Sequence, residues 1–394
     1  MAGVMYAIIG LILLALVFDF FNGVNDAANA IATVVATRVL TPVQAVGLAA
    51  VFNLLGPLVF TTAVAKTIGK GIVVADVITL SVLASTLLGA ILWTMIASWV
   101  GLPISCSHSL IGGLIGAAVA ANGWGVVYLP TTSVLTSLLF YTLLAIALCC
   151  IVWLALHKLL GIDISNRTLL IGVLLGFAVG VPLLTLTGRI PISGIAAIVL
   201  FMAVAPVLGL CGSFFVTSLV IRAFKSYASE TVNVYFKRLQ IISASFYALT
   251  HGANDAQKTM GIITLLLFSQ GMLSSFEVPI WVIFLSSGAI ALGTFTGGWR
   301  VVGTMAKKMT KLRPYQGFCA ESTGGLVLAM MTLFGIPVST THVISGSIMG
   351  VGTTQSLTSV RWGVARNVFG AWILTIPATA LMGAFVELSL SALL

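Results

Sequence analysis

Asn22-Gly23-Val24-Asn25-Asp26-Ala27-Ala28-Asn29 recurs as His251-Gly252-Ala253-Asn254-Asp255-Ala256-Gln257-Lys258. Pro103-Ile104-Ser105-Cys106-Ser107-His108-Ser109 recurs as Pro337-Val338-Ser339-Thr340-Thr341-His342-Val343. Each is a short polar knot in an apolar run of membrane length. Asp26 and His108 are 82 residues apart, Asp255 and His342 87. Two kinds of knot, duplicated in the same order at nearly the same spacing, point to one central polar site assembled from two halves.

Composition sets the medium. The chain is 59% hydrophobic and 7% charged, with a mean hydropathy of +1.17; a soluble domain carries about 25% charged residues. Most apolar runs exceed the roughly 18 residues that span a bilayer. The expected fold is an all-α polytopic membrane protein with about ten to twelve transmembrane helices in two repeats. The apolar runs continue to the C-terminus, so the first is read as a span rather than a signal peptide. The net charge of +9 is scattered over short loops, such as Arg222, Lys225, Lys237 and Arg238, or Arg300, Lys307, Lys308, Lys311 and Arg313. That is the signal of a cell-membrane protein with basic loops inside, not of a nucleic-acid-binding face. None of the five cysteines has zinc or redox spacing. Cys106, inside a knot, is placed as a lining residue without chemistry of its own.

Four runs have unusual lengths. Runs 4–40 and 238–270 are too long for one straight span and carry the Asn-Asp knots inside them, which predicts helices broken near Gly23 and Gly252. Runs 103–121 and 337–352 are short, rich in Gly, Ser and Thr, and begin with proline. They are read as re-entrant hairpins, tolerated at membrane depth only where buried in protein or lining a wet cavity. Repeat 1 is assigned to residues 1–160, with its knot at 22–29 and its hairpin at 103–121. Repeat 2 is assigned to 238–394, with its knot at 251–258 and its hairpin at 337–352. Residues 161–237 supply connecting spans, at 167–187 and 191–222, and a polar loop. Counting crossings leaves parallel and inverted repeats both open.

A carboxylate near the bilayer centre costs a few kcal/mol and normally faces a cavity, a cation or a partner. Asp26 and Asp255 lie in apolar surroundings, and Asn25, Asn29 and Asn254 add amide oxygens. Such oxygen donors suit a hard cation, here Na+. The plainer reading, that these residues cap broken half-helices, suits one knot better than two. In the Pro-x-Ser knots, proline is at ease at a helix start. Ser105, Ser107, Ser339 and Thr341 place hydroxyls beside free N–H groups. A helix N-terminus of this kind takes anions, and two that face each other suit a tetrahedral oxyanion. The alternative is a Ser/Thr hydrogen-bond patch between helices.

His108 and His342 occupy matching places. They are read first as packing or orienting residues, and otherwise as proton carriers or substrate contacts. Glu321 has no acidic counterpart in Ala84-Ser85-Thr86. It either completes a cation site in one half or pairs with a base such as Lys258. A divalent oxyanion between Asp26 and Asp255 would be repelled by several kcal/mol in a low-dielectric pocket. Cations must therefore sit between anion and carboxylates, which is a physical origin for cotransport. The candidate anion-binding residues are Asn25, Asp26, Ser105, Cys106, Ser107, His108, Asn254, Asp255, Ser339, Thr340, Thr341 and His342. The candidate Na+ ligands are Asn25, Asp26, Ser105, Asn254, Asp255, Glu321 and Ser339.

Taken together, the four knots and Gln316-Gly317-Phe318-Cys319-Ala320-Glu321 resemble the inorganic phosphate transporter (PiT) family, sodium-dependent type. The resemblance covers both repeats. It implies cation-coupled import of inorganic phosphate, inverted repeats with the site between them, and no cofactor beyond the co-transported Na+. H+ coupling, or uptake of a metal–phosphate complex, stays open beside it. It also implies that the Asn-Asp pairs and the Ser/Thr hydroxyls hold phosphate and its cations. Eukaryotic members carry a long loop between the halves. The short 222–238 linker here points to a compact prokaryotic transporter of the plasma membrane, with the lipid bilayer and not nucleic acid as its partner. Small-residue helix faces would permit a homodimer. Two other classes compete. Asn-bearing half-helices that meet at the midplane also describe solute channels, although three buried acids count against one. An intramembrane enzyme would need a nucleophile or metal signature, and Gly-x-Ser-x-Gly and His-Glu-x-x-His are both missing.

Overall fold

The computed structural model describes residues 2–68, 72–74, 77–159, 172–174, 176–188 and 195–393. In lipid every backbone polar group must be satisfied within the chain, and apolar sequences achieve this as helices. The helices are α1 (Ala2–Ala36), α2 (Pro42–Val59), α3 (Ala63–Ile68), α4 (Leu80–Val100), α5 (Cys106–Asn122), α6 (Thr132–Leu159) and α7 (Val181–Leu186). They continue with α8 (Ile195–Phe224), α9 (Ser229–Ser269), α10 (Ile280–Thr296), α11 (Trp299–Gly303), α12 (Pro314–Leu333), α13 (Thr340–Thr353) and α14 (Trp362–Leu393). The only β pairing among the described residues is an isolated bridge between Val73 and Val127.

Among the described residues six helices, α1, α2, α4, α6, α8 and α14, are each long and apolar enough to cross a membrane; α10 with α11, bent by 60°, makes a seventh. The expected ten to twelve is not reached by this measure. Helices α9 and α12 have the length, at 41 and 20 residues, but bury polar side chains that lower their hydropathy. Outward faces are apolar: Leu381 and Phe385 are each 73% exposed, as befits a lipid surrounding. The chain is a membrane-spanning all-α protein.

One expectation fails. Helices α1 and α9 run unbroken through their knots. The reason lies in what the glycines and the polar groups do. A Cβ on Gly23 would sit 2.3 Å from the Ile290 carbonyl of α10, and one on Gly252 would sit 2.4 Å from Asn53 Cα of α2. The glycines allow helices to touch rather than to break. The Asn and Asp side chains find partners on neighbouring helices, so they do not compete for their own backbone.

Helices α1 and α9 cross antiparallel. Thr33 and Ser243 both bond Glu321 at one end, and Asp19 has Thr259 as a side-chain neighbour at the other. An inverted pair requires this relation. Helices α4 and α5 form one hairpin, with Gly113 against Thr86; α12 and α13 form the other, with Gly324 against Ile344. The second arms have 17 and 14 residues, about 26 and 21 Å at 1.5 Å per residue, short of a roughly 30 Å hydrocarbon core.

Each short arm is clamped from outside. Gly112 and Gly116 press α5 onto the carbonyls of Ile376 and Ala380 in α14, while Gly346 and Gly350 press α13 onto those of Pro206 and Leu210 in α8. Helix α8 lies in the stretch assigned to the connector, yet it does for the second hairpin what C-terminal α14 does for the first. The other connecting span, expected at 167–187, falls partly outside the described residues.

Candidate functional site

Each short arm begins at a serine cap. Ser105 accepts the N–H of His108 at 3.4 Å, and Ser339 accepts that of His342 at 3.3 Å. The two tips meet. The Thr341 hydroxyl donates to the Ile104 carbonyl at 2.8 Å, and the His108 and His342 ring centres are 5.1 Å apart. First-turn N–H groups have no acceptor within a helix, so two partially positive helix ends converge on one spot.

Both knot carboxylates face that spot. The Thr340 hydroxyl lies 3.4 Å from Asp26 Oδ2 and 3.0 Å from Asp255 Oδ2. The Thr341 hydroxyl oxygen lies 3.3 Å from Asp26 Oδ1, and the Cys106 thiol approaches the same oxygen at 3.9 Å. From α1 the Asn29 amide donates to Thr340 at 3.3 Å and Thr341 at 3.0 Å. All these side chains are buried.

Asn25 and Asn254 are used alike. Nδ2 of Asn25 donates to Ser98 at 2.9 Å, and that of Asn254 donates to Thr332 at 3.1 Å. The Oδ1 atom of each is buried without a hydrogen-bond partner. A buried oxygen left without a donor costs about 1–3 kcal/mol, and a cation is one group that can relieve it.

The structure thus brings together Asn25, Asp26, Cys106, Ser107, His108, Asn254, Asp255, Thr340, Thr341 and His342, with Ser105 and Ser339 behind them as caps. Glu321 stands apart. Its carboxylate accepts from Thr33, Gln240 and Ser243, at a level seven residues, about 10 Å, along α1 from Asp26. It pairs with neutral donors and not with Lys258. His342 is firmly oriented: Nδ1 lies 3.2 Å from the Met202 carbonyl, and the ring stacks on Trp372 at 3.7 Å. Its Nε2 and the Nδ1 of His108 have no hydrogen-bond partner.

Three residues outside the expected site belong to its surroundings. Lys258 forms an ion pair with Asp255 Oδ1. With Ser107, His108, Pro337 and Ser339 it lines a cavity of about 20 Å³. His251 Nε2 lies 3.2 Å from Asp255 Oδ2, and its Nδ1 lies 3.1 Å from Asn53 Oδ1. Ligand atoms of Asp26, His251 and Asp255 all fall within 4.8 Å of one another. The signal for both residues was in plain view, since each sits in the second knot.

The third is Asp19, fully buried two turns before Asp26. It accepts one long bond from Asn22 Nδ2 at 3.4 Å, while Asp19 Oδ2 and Asn22 Oδ1 have no partner. An aspartate in an otherwise apolar run was its sequence signal. In Asp19→Asn the new amide can donate to Asn22 Oδ1 while still accepting from Asn22 Nδ2. The variant is expected to be more stable by about 1–3 kcal/mol, seen as a higher unfolding temperature in detergent. An unchanged or lower temperature would contradict the assignment of Asp19 as a buried carboxyl group with an unsatisfied oxygen.

The chain is similar to known proteins in sequence and in fold. The model of the phosphate transporter family matches residues 22–149 and 129–383, and so takes in all four knots. A probable low-affinity inorganic phosphate transporter of Rhizobium meliloti (strain 1021) is 43% identical over 378 residues, covering 96% of this chain and 94% of its own. One of Bacillus subtilis (strain 168) is 37% identical over 379 residues, covering 95% and 94%. A solved structure described as the sodium-dependent phosphate transporter superposes with a TM-score of 0.69 at 25% identity, covering 99% of this chain and 100% of that one. The intramembrane-enzyme reading falls here, because the family consists of transporters. On its knots, its fold and these matches, the chain belongs to the phosphate transporter family.

Proposed function

We propose that this protein imports inorganic phosphate across the cell membrane in symport with Na+. One observation carries the reading: Asp26 and Asp255 share the Thr340 hydroxyl where two helix N-termini meet. Groups that attract an anion and groups that repel it are built into the same few ångströms. At an effective dielectric constant near 20, two like charges about 4 Å apart repel by about 4 kcal/mol. Phosphate therefore binds only with cations between it and the carboxylates.

The first-turn N–H groups of α5 and α13, with Ser107, Thr340 and Thr341, hold the phosphate oxygens, and Cys106, His108 and His342 line the chamber. The unpartnered Oδ1 atoms of Asn25 and Asn254 join the Asp carboxylates as cation ligands. Ser105 and Ser339 keep both helix ends in place. Sodium is favoured by the all-oxygen donor set and by the likeness in fold to the sodium-dependent phosphate transporter. The cavity of about 20 Å³ has room for about one water, so the tips must part before the anion enters, in keeping with alternating access between two repeats.

The test is uptake of labelled phosphate into proteoliposomes under imposed Na+ or H+ gradients, against sulfate. A Na+ gradient is expected to concentrate phosphate inside. Equal phosphate binding with and without Na+ across a proton titration would sink the scheme, and flux indifferent to the gradient would indicate a channel. A proton-coupled reading has one observation in its favour, the facing histidines with unpartnered ring nitrogens. The H+ arm of the same assay decides it.

The paired substitution Ser105→Ala with Ser107→Ala removes one cap, worth about 1 kcal/mol, and one hydroxyl facing the anion. Phosphate affinity is expected to fall about tenfold to hundredfold, with Na+ affinity changed less. An equal loss for both ligands in equilibrium binding would show that the serines do not serve the anion in particular.

A further inference from the structure

The two Asn-Asp knots differ at four of eight positions, Asn22/His251, Val24/Ala253, Ala28/Gln257 and Asn29/Lys258, and the difference in fixed charge lies three residues past each aspartate. The first half reads Asn25-Asp26-Ala27-Ala28-Asn29, and the second reads Asn254-Asp255-Ala256-Gln257-Lys258. Lys258 occupies the register of Asn29. The hairpins and their supports hold a common register too: Ser98 and Thr332, which receive the two Asn amides, stand the same number of residues before Ser105 and Ser339. The exchange of Asn for Lys is therefore a departure within a well-aligned duplication.

The two carboxylates consequently have different surroundings. Asp255 Oδ1 carries the Lys258 ammonium, and Asp255 Oδ2 has Thr340 at 3.0 Å and His251 at 3.2 Å. Both of its oxygens are engaged, one by a full positive charge. The hydrogen-bond partners of Asp26 are the two threonine hydroxyls and the Cys106 thiol, at 3.3–3.9 Å; His251 and Asp255 stand within 4.8 Å, but no cationic side chain pairs with it directly. One residue earlier, Asn25 Oδ1 is unpartnered. Lys258 is 2% exposed and, beyond Asp255, it borders the small cavity at the hairpin tips. An ammonium has three donors, and one is used on Asp255.

We propose that Lys258 is a tethered cation. In the second half of the site it takes the place that a travelling ion takes in the first, so phosphate crosses with one fewer coupling cation than two equivalent knots would require. This deepens the reading under Proposed function and rests on it. The ammonium neutralises Asp255 and turns its remaining donors to the anion. Because it is covalently attached, it contributes attraction without drawing on an ion gradient. A lysine is a compact point charge without the planar fork of arginine, and its pairing with Asp255 offsets its pull on phosphate, which favours release.

The experiment compares wild type, Lys258→Asn and Lys258→Arg in proteoliposomes, measuring labelled phosphate uptake against external Na+. Wild type is expected to show a Hill slope of about one, and Lys258→Asn, which places the first knot's residue at that register, a slope of about two. At low Na+ the Asn variant is expected to bind phosphate about tenfold to hundredfold more weakly, with recovery at high Na+. Lys258→Arg keeps the wild-type slope. A wild-type slope at the same phosphate affinity in Lys258→Asn overturns the proposal. So does failure of high Na+ to restore binding in folded Lys258→Asn protein. Should that variant not fold, equilibrium counting of 22Na+ per bound phosphate on wild type decides: two or more at the paired knots overturns the proposal, and one supports it. The two readings fail separately, because Na+ dependence of the wild type tests the symport and the change caused by Lys258→Asn tests the tethered cation. If protons drive the wild type instead, the same comparison is read against the H+ gradient.

Discussion

Asp26→Asn should abolish sodium-driven phosphate accumulation while leaving a folded protein that still binds phosphate. Its carboxylate is held by neutral groups alone, Thr340, Thr341 and Cys106, all at 3.3 Å or more. The Lys258 ammonium is paired with Asp255, so the charge of Asp26 is the one left without a direct cationic partner for a travelling cation to balance. Attraction between unit charges about 4 Å apart is worth about 4 kcal/mol at an effective dielectric constant near 20, roughly a thousandfold in cation affinity. The variant amide is isosteric: its oxygen can take the place that faces Thr341, and its NH2 can donate to the Thr340 hydroxyl oxygen, so folding is expected to survive. Removing the charge also removes its repulsion of phosphate. The measurement is phosphate binding and uptake as a function of Na+: binding that persists but no longer responds to Na+, with concentrative uptake down at least about hundredfold, is the expected result. Normal coupling in Asp26→Asn would remove the basis of the cation assignment.

Asp255→Asn should do nearly the reverse. It leaves the Lys258 ammonium beside the cavity without its counter-charge. Once phosphate arrives, the freed donor and charge act on it undiluted. Phosphate binding is expected to tighten by about tenfold, one charge-assisted hydrogen bond's worth. The Na+ dependence set by Asp26 remains, and the maximal transport rate falls because release becomes slow. Equilibrium binding and phosphate exchange across the liposome membrane separate the two effects. If Asp255→Asn instead loses Na+ dependence just as Asp26→Asn does, the knots are equivalent and the tethered-cation proposal is wrong.

Much of this site was legible from sequence because polar residues in an apolar chain stand out. Asn25, Asp26, Asn254, Asp255 and the Ser/Thr-His knots announced themselves by type and by duplication, and all of them meet at the tips of α5 and α13. The same contrast misled in two places. A long run with Asn, Asp and Gly in it looks like a broken helix. Whether it breaks depends on whether neighbours such as Ser98, Thr332 and Thr340 take up the polar groups, and tertiary partners leave no local trace. Lys258 was quoted within the second knot but read only as a possible partner for Glu321. Its register against Asn29 marks its place in the site. The role of α8 was hidden for another reason: it clamps α13 through glycine-to-carbonyl contacts, and in an apolar chain such contacts carry no compositional mark.

The bond from Thr341 to the Ile104 carbonyl ties the tip of one hairpin to the tip of the other, directly beside Asp26. With that tie closed, a lone sodium ion reaching Asp26 meets a wall rather than a passage. Its own binding does nothing to break a bond between two neutral groups. In the proposed symport this tie holds shut a carrier loaded with sodium alone, and the arrival of phosphate at the tips is what parts them.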